Sequence, residues 1–228
     1  MRSVPESAMA GAPDEKSGTA SIMRRMVIFA MPRVMASGYL TYDCGIFRRV
    51  RGMRNTVDGY GLMSRALHWF LAVLILGVMI LGLVVEDMPK GPERAGLMNW
   101  HQSFGTVVLV LVALRLAWRL VNPLPQPIGN PRTQRLASLM HWLLYGLMIA
   151  QPLSGLVQVQ AAGRSLMLFG AFEVPRLIAE NTALKEILEE VHETVWIVLA
   201  VAVAGHVAAA LKHHFIDRDK TLVRMLRG

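Results

Sequence analysis

The chain has 228 residues, 54% of them hydrophobic, and a mean hydropathy of +0.40. Such a composition excludes a water-soluble domain built around one apolar core and points to a polytopic membrane protein, whose solvent is lipid. The net charge of +8 does not then imply a nucleic-acid partner, because basic residues at helix ends set topology and meet anionic lipid headgroups.

Residues 1–57 come first and stand apart. Residues 3–20 are small and polar, the composition of a segment that stays disordered. Residues 22–42 are mildly apolar, but Arg24, Arg25 and Arg33 interrupt them. That stretch is too short and too charged to span a bilayer, and it lacks the layout of a signal peptide. It reads either as an amphipathic surface segment or as sequence ahead of the true start, with Met53 or Met63 opening the chain just before the first span. An organised domain is expected over 58–228.

Four spans follow, at about 66–85, 99–118, 136–159 and 191–211. The first is a run of about 20 residues without a charge, the length that crosses roughly 30 Å of hydrocarbon at ~1.5 Å per residue. The second is broken only by Arg115 near its end, and the third contains Pro152 and Gly155, both tolerated in membrane helices. The expected fold is all-α, an integral membrane four-helix bundle. Arg48, Arg49, Arg51, Arg54 and Arg65 precede the first span. Arg115, Arg119, Arg132 and Arg135 lie around the second connection, and Lys212, Arg218, Lys220, Arg224 and Arg227 follow the last span. The opposite side carries only Lys90, Arg94, Arg164, Arg176 and Lys185, among most of the acids. The positive-inside rule therefore places the N-terminus and the C-terminus in the cytoplasm.

Imidazoles at membrane depth are costly and usually have a function. His101 and His192 fall at the periplasmic level; His68, His141 and His206 fall at the cytoplasmic level. On the fourth span His192 and His206 are 14 positions apart. At ~3.6 residues per turn both rings leave nearly the same face, roughly 21 Å apart along the axis. One helix can thus offer a ligand to each of two stacked cofactors. Neutral imidazole is a common axial ligand of haem iron, and the core of a helix bundle is the expected place for such a group. Cys44 is the only cysteine and no C-x-x-C-H motif is present, so covalent c-type attachment is excluded and any haem is of the b type.

Each histidine also has a plainer reading. His101 and His192 sit near helix starts at the membrane edge, and His68 sits at headgroup level. His206 lies among small residues that suit close helix packing as well as a flat ligand. Their joint occurrence at matched depths favours ligation. Depth alone leaves His68 and His141 open as the partner of His206. His141 also suits a quinone pocket or a hydrogen bond near Tyr145.

The segments Ser64-Arg65-Ala66-Leu67-His68-Trp69, Trp100-His101-Gln102-Ser103-Phe104-Gly105, His192-Glu193-Thr194 and Gly205-His206-Val207 through Lys212-His213-His214-Phe215 resemble the bacterial cytochrome b561 family. The tail Asp219-Lys220-Thr221-Leu222-Val223-Arg224-Met225 belongs to the same pattern, which runs from about Tyr60 to the C-terminus. The resemblance implies a bacterial inner-membrane cytochrome with two haem b groups that exchanges electrons with the quinone pool. It also implies the ligand pairs His68 with His206 and His101 with His192, and so makes the choice that depth leaves open. One branch of the family oxidises superoxide and reduces ubiquinone. Lys90, Arg94, Arg164 and Arg176 would form a positive entrance for that anion, though the neighbouring acids oppose it.

No proton-abstracting dyad, Ser/His/Asp set or phosphate-binding glycine loop appears, so the expected role is electron relay, with no catalytic side chain of its own. Two rival readings remain. The chain is the cytochrome b anchor of a hydrogenase- or dehydrogenase-type complex, or it is a haem-free transporter. The latter usually needs deep carboxylates, and none lies in these spans. Arg65 and Arg115 are placed either to meet haem propionates or to anchor helix ends, and Arg119 is placed to snorkel. Gln151 and Gln158 suit a quinone carbonyl or a bridge between helices. Trp69, Trp100, Trp142 and Trp196 read as an aromatic belt. Residues 172–190 show a partial helical stripe and are expected to cap the periplasmic cofactor and to offer a surface to an outside redox partner; His213 and His214 are expected to be solvated.

Overall fold

The computed structural model describes residues 52–228. The expectations for residues 3–20, for residues 22–42 and for Cys44 lie outside the described residues. Among the described residues four helices are long and apolar enough to cross a membrane. They are α1 (Leu62–Asp87), α2 (Pro92–Val121), α3 (Pro131–Ala161) and α4 (Thr182–Phe215). Each contains one expected span and extends beyond it at both ends. Helices consecutive in sequence pack against one another along the bundle.

Local chemistry sets the helix boundaries. Pro92 and Pro131 occupy first-turn positions, where the missing N–H costs nothing. The Asn130 side chain accepts from the N–H groups of Arg132 and Thr133, both at 3.0 Å, and caps α3. Asn181 caps α4 in the same way, accepting from Leu184 N–H at 2.9 Å. At the end of α1 the Val85 carbonyl accepts from the N–H of the C-cap Met88 at 3.4 Å and, more closely, from the Arg94 Nε–H at 2.9 Å.

The buried core lies at the middle of the bundle. Leu71 and Ile75 from α1 meet Val108 and Val112 from α2, Leu144, Tyr145 and Met148 from α3, and Leu199 and Ala202 from α4. Outside it the helices present exposed apolar residues such as Val73, Ile80, Leu139 and Val201. That pattern is wrong for water and right for lipid. Helix association in lipid rests on packing and polar contacts, since tails are as apolar as leucine.

The two ends of the bundle are built differently. At the terminal end, the short helix α5 (Thr221–Leu226) folds back onto the start of α1. The Arg65 guanidinium donates to the Leu226 carbonyl at 3.0 Å, Trp69 Nε1–H donates to the Met225 carbonyl at 3.0 Å, and Arg224 donates to the Gln126 carbonyl at 2.8 Å. Buried Asn55 joins in, donating to the Pro123 carbonyl at 2.8 Å and accepting from Ser64 Oγ at 2.7 Å. Arg65 and Trp69 are thus tied to the tail. His213 is half-buried rather than solvated, with Nδ1 2.8 Å from Asp219 and 3.1 Å from Asp217. Burial alone would raise the Asp219 carboxyl, but hydrogen bonds from Thr221 and His213 outweigh it and hold the group below the usual carboxylate range.

At the hairpin end, strands β1 (Leu166–Leu168) and β2 (Phe172–Val174) pair antiparallel, with Leu168 opposite Phe172. Phe169 and Gly170 both have positive φ, 53° and 71°, and the Ala171 N–H closes the turn on the Leu168 carbonyl at 2.9 Å. That geometry belongs to a primed hairpin turn and is strained for phenylalanine. Contacts with α2 hold it: Phe169 N–H donates to Ser103 Oγ at 2.8 Å, and its ring packs against Trp100 and Phe104. The helical cap expected over 172–190 is therefore corrected. The hairpin covers this end, and residues from Thr182 onward are the opening turns of α4, started by Asn181.

Candidate functional site

The bundle brings its histidines together in two tiers, separated by the apolar core. At the hairpin end, His101 of α2 faces His192 of α4, with ring centres 6.4 Å apart and planes at 77°. At the terminal end, His68 of α1 faces His206 of α4 at 6.3 Å and 73°. His141 of α3 is also here, its ring centre 5.5 Å from that of His206.

These distances have chemical meaning. A ligating imidazole nitrogen sits about 2 Å from its metal, and the ring centre lies roughly 1.2 Å further out. Two rings gripping one ion from opposite sides therefore have centres about 6.3 Å apart. The His101–His192 and His68–His206 spacings match that value, whereas the His141–His206 spacing is clearly shorter.

Ring orientation at the hairpin end follows from hydrogen bonding. His101 Nδ1 is 3.1 Å from the Val78 carbonyl, which can only accept. The proton is then on Nδ1 and the lone pair on Nε2. Space for the rings comes from glycine. A Cβ on Gly82 would lie 2.9 Å from His101 Cε1, and one on Gly155 would lie 3.0 Å from His192 Cε1. Both rings open into a cavity of about 290 Å³, mainly apolar, also lined by Gly105, Leu166 and Trp196. Arg94, Arg164, Glu189 and Glu193 stand among its polar lining.

At the terminal end, His68 Nδ1 is buried without a hydrogen-bond partner among the described residues. Arg115 lies over the Tyr145 ring at 5.8 Å, and Arg119 lies over the rings of Tyr145 and Trp142 at 5.8 and 5.9 Å. Gln151 bridges helices, its amide nitrogen 3.0 Å from His192 Nε2, while Gln158 lines the cavity. Gly82, Gly155, Ser154 and Val78 are site residues that the sequence alone did not single out.

Residues 59–228 match the family model described as prokaryotic cytochrome b561. The chain belongs to the prokaryotic cytochrome b561 family. Cytochrome b561 homolog 2 of Escherichia coli K12 is 34% identical over 75% of this chain and 93% of its own length. Cytochrome b561 homolog 1 of the same organism is 33% identical over 70% and 92%. The probable superoxide oxidase CybB of Yersinia pestis is 27% identical over 73% and 95%. This cytochrome is thus a multi-pass protein of the bacterial inner membrane, a b-type haem protein of electron transport. Haem b is held without a covalent link, so its site must offer neutral imidazole nitrogen and room for a flat macrocycle. The hairpin-end tier fits on both counts, with opposed rings, a defined tautomer at His101, glycines behind both rings and an apolar cavity.

Proposed function

We propose that this cytochrome holds two haem b groups, one between His101 and His192 and one between His68 and His206, and passes electrons between the two faces of the membrane. The observation that carries this reading is the repeat of one ring spacing, 6.4 and 6.3 Å, in two tiers that share α4. Bound haem supplies the one-electron chemistry. The protein's own residues do the rest. Val78 fixes the His101 tautomer, and Gly82 and Gly155 keep the rings free of steric overlap. Leu166 and the hairpin cover the cavity, and Leu71, Val112 and Leu199 fill the space between tiers.

The orientation follows from charge. Arg119, Arg132, Arg135, Lys212 and Arg224 gather at the terminal end, which supports a cytoplasmic position for both termini. The hairpin end then faces the periplasm. Here Lys90, Arg94 and Arg164 line a hollow of about 240 Å³ with no acid among the described residues of its wall, sharing Arg94, Met98 and Arg164 with the larger cavity. A positive recess beside a redox site raises the local concentration of a small anion. Superoxide is the proposed donor, in keeping with the relative named as a probable superoxide oxidase, and quinone is the proposed acceptor.

The test uses purified protein in liposomes with a ubiquinone analogue and a steady source of superoxide. Haem reduction and quinol formation that superoxide dismutase abolishes are the expected results, with Arg94→Glu and Arg164→Glu slowing the first step. Haems that stay oxidised under superoxide overturn that donor. Reduction seen only after a large second subunit co-purifies would make the chain an anchor instead.

A further inference from the structure

We propose that Ser154 is a positioning residue, which fixes the tautomer of His192 and strengthens its ring as a donor to iron. The inference rests on the proposed ligation by His192. Ser154 is buried on α3, one residue before Gly155, and its Oγ lies 3.0 Å from His192 Nδ1 and 2.8 Å from the Gln151 carbonyl.

A hydroxyl has one proton to give. The Gln151 carbonyl can only accept, so the Ser154 proton goes there. The Ser154 oxygen is then an acceptor towards the ring, and His192 Nδ1 must carry the proton that reaches it. This leaves the lone pair on Nε2. The Gln151 side-chain nitrogen lies 3.0 Å from His192 Nε2, a contact that ligation of iron by Nε2 would displace.

The two facing rings thus reach the same tautomer by different routes. His101 gives its Nδ1–H to a backbone carbonyl, which no side-chain substitution removes. His192 gives its Nδ1–H to a side chain, which one substitution removes. Donation from Nδ1–H makes the other nitrogen more basic, and such partners tune a metal as well as orient its ligand. The bond from Ser154 to Gln151 polarises the hydroxyl and improves it as an acceptor. A more basic ligand favours oxidised iron. Losing the Ser154 bond is therefore expected to favour reduction at this tier by up to about tenfold, which is ~59 mV for one electron.

Ser154→Ala, Ser154→Thr and His192→Ala, each in the full purified chain, test this by haem content, redox titration and the ferric electron-spin spectrum. In Ser154→Ala one midpoint rises and one ferric signal changes while the other haem is unmoved, and Ser154→Thr behaves as wild type. If Ser154→Ala sheds one haem, retention in Ser154→Thr supports the assignment, and loss in both shows a packing role and overturns it. Unchanged midpoints and spectra in Ser154→Ala also overturn it, as does an equal shift of both haems. His192→Ala separates the two levels. One haem lost there with Ser154→Ala silent sinks the Ser154 role alone, whereas two haems retained sinks the ligation by His192 and this inference with it.

Discussion

At the hairpin end, His101 is bound to the Val78 carbonyl, His192 is bound to Ser154, and glycines stand behind both rings. At the terminal end, His68 and His206 have the same spacing, but a third imidazole lies 5.5 Å from His206 and Arg115 and Arg119 sit at Tyr145, one turn beyond His141. The first tier is shaped tightly around two rings and has no spare donor among the described residues. The second has a spare donor and nearby positive charge. The contrast teaches that one spacing can be reached by steric confinement or amid a surplus of imidazoles, and the two should fail differently.

The largest effect is expected from filling the confined tier. Gly155→Val and Gly82→Val place methyl groups where the His192 and His101 rings now lie. Close-packed interiors do not absorb such overlap. Each variant should lose its hairpin-end haem by about tenfold or more, since ~1.4 kcal/mol already amounts to that and overpacking costs roughly 1–3 kcal/mol. Haem content per chain checks this, and two haems retained in both variants would remove the confinement argument.

The terminal tier gives a subtler test. His68→Ala should remove one haem, whereas His141→Ala should keep both and change only one midpoint potential. The reverse pattern, seen in the same haem assay, would make His141 the ligand and His68 its neighbour.

How far the sequence carried each tier differs for a physical reason. The spans were legible because lipid demands long uncharged runs, and the two levels were legible because fourteen positions on one helix return the side chain to one face. The partners Gly82 with His101, Gly155 with His192, and Ser154 with His192 cross between helices, so no local window contains them. The hairpin escaped notice because its strands are three residues long and its turn puts a phenylalanine at positive φ, a choice that only Ser103, Trp100 and Phe104 explain. The His213–Asp219 pair is local, yet a histidine just past a span carries no sign of the turn that brings the carboxylate back to it.

The smallest effect concerns the tail that closes the terminal end. Asp219, one residue before the N-cap Lys220, accepts from Thr221 N–H at 2.8 Å and satisfies one of the free N–H groups at the start of α5. Asp219→Ala should cost about 1 kcal/mol locally through the lost hydrogen bond and speed hydrogen exchange in α5 without altering haem content. Because the folded carboxyl is held below its usual range, its stabilisation is fully present above that range and is lost as pH falls from there through the lowered folded value. With the acid slowing of intrinsic exchange divided out, protection in α5 should therefore fall on acidification in the wild type and change less in the variant. Equal acid sensitivity in both would assign the tail's closure to Arg65, Trp69 and Arg224 alone.

The most direct measurement is the haem-to-protein ratio of the purified chain beside its His101→Ala and His206→Ala variants, read from reduced-minus-oxidised spectra. Two haem b per wild-type chain and one in each variant, with different residual spectra, are expected from two tiers of paired imidazoles. One haem in the wild type, or two in either variant, would contradict ligation in two tiers.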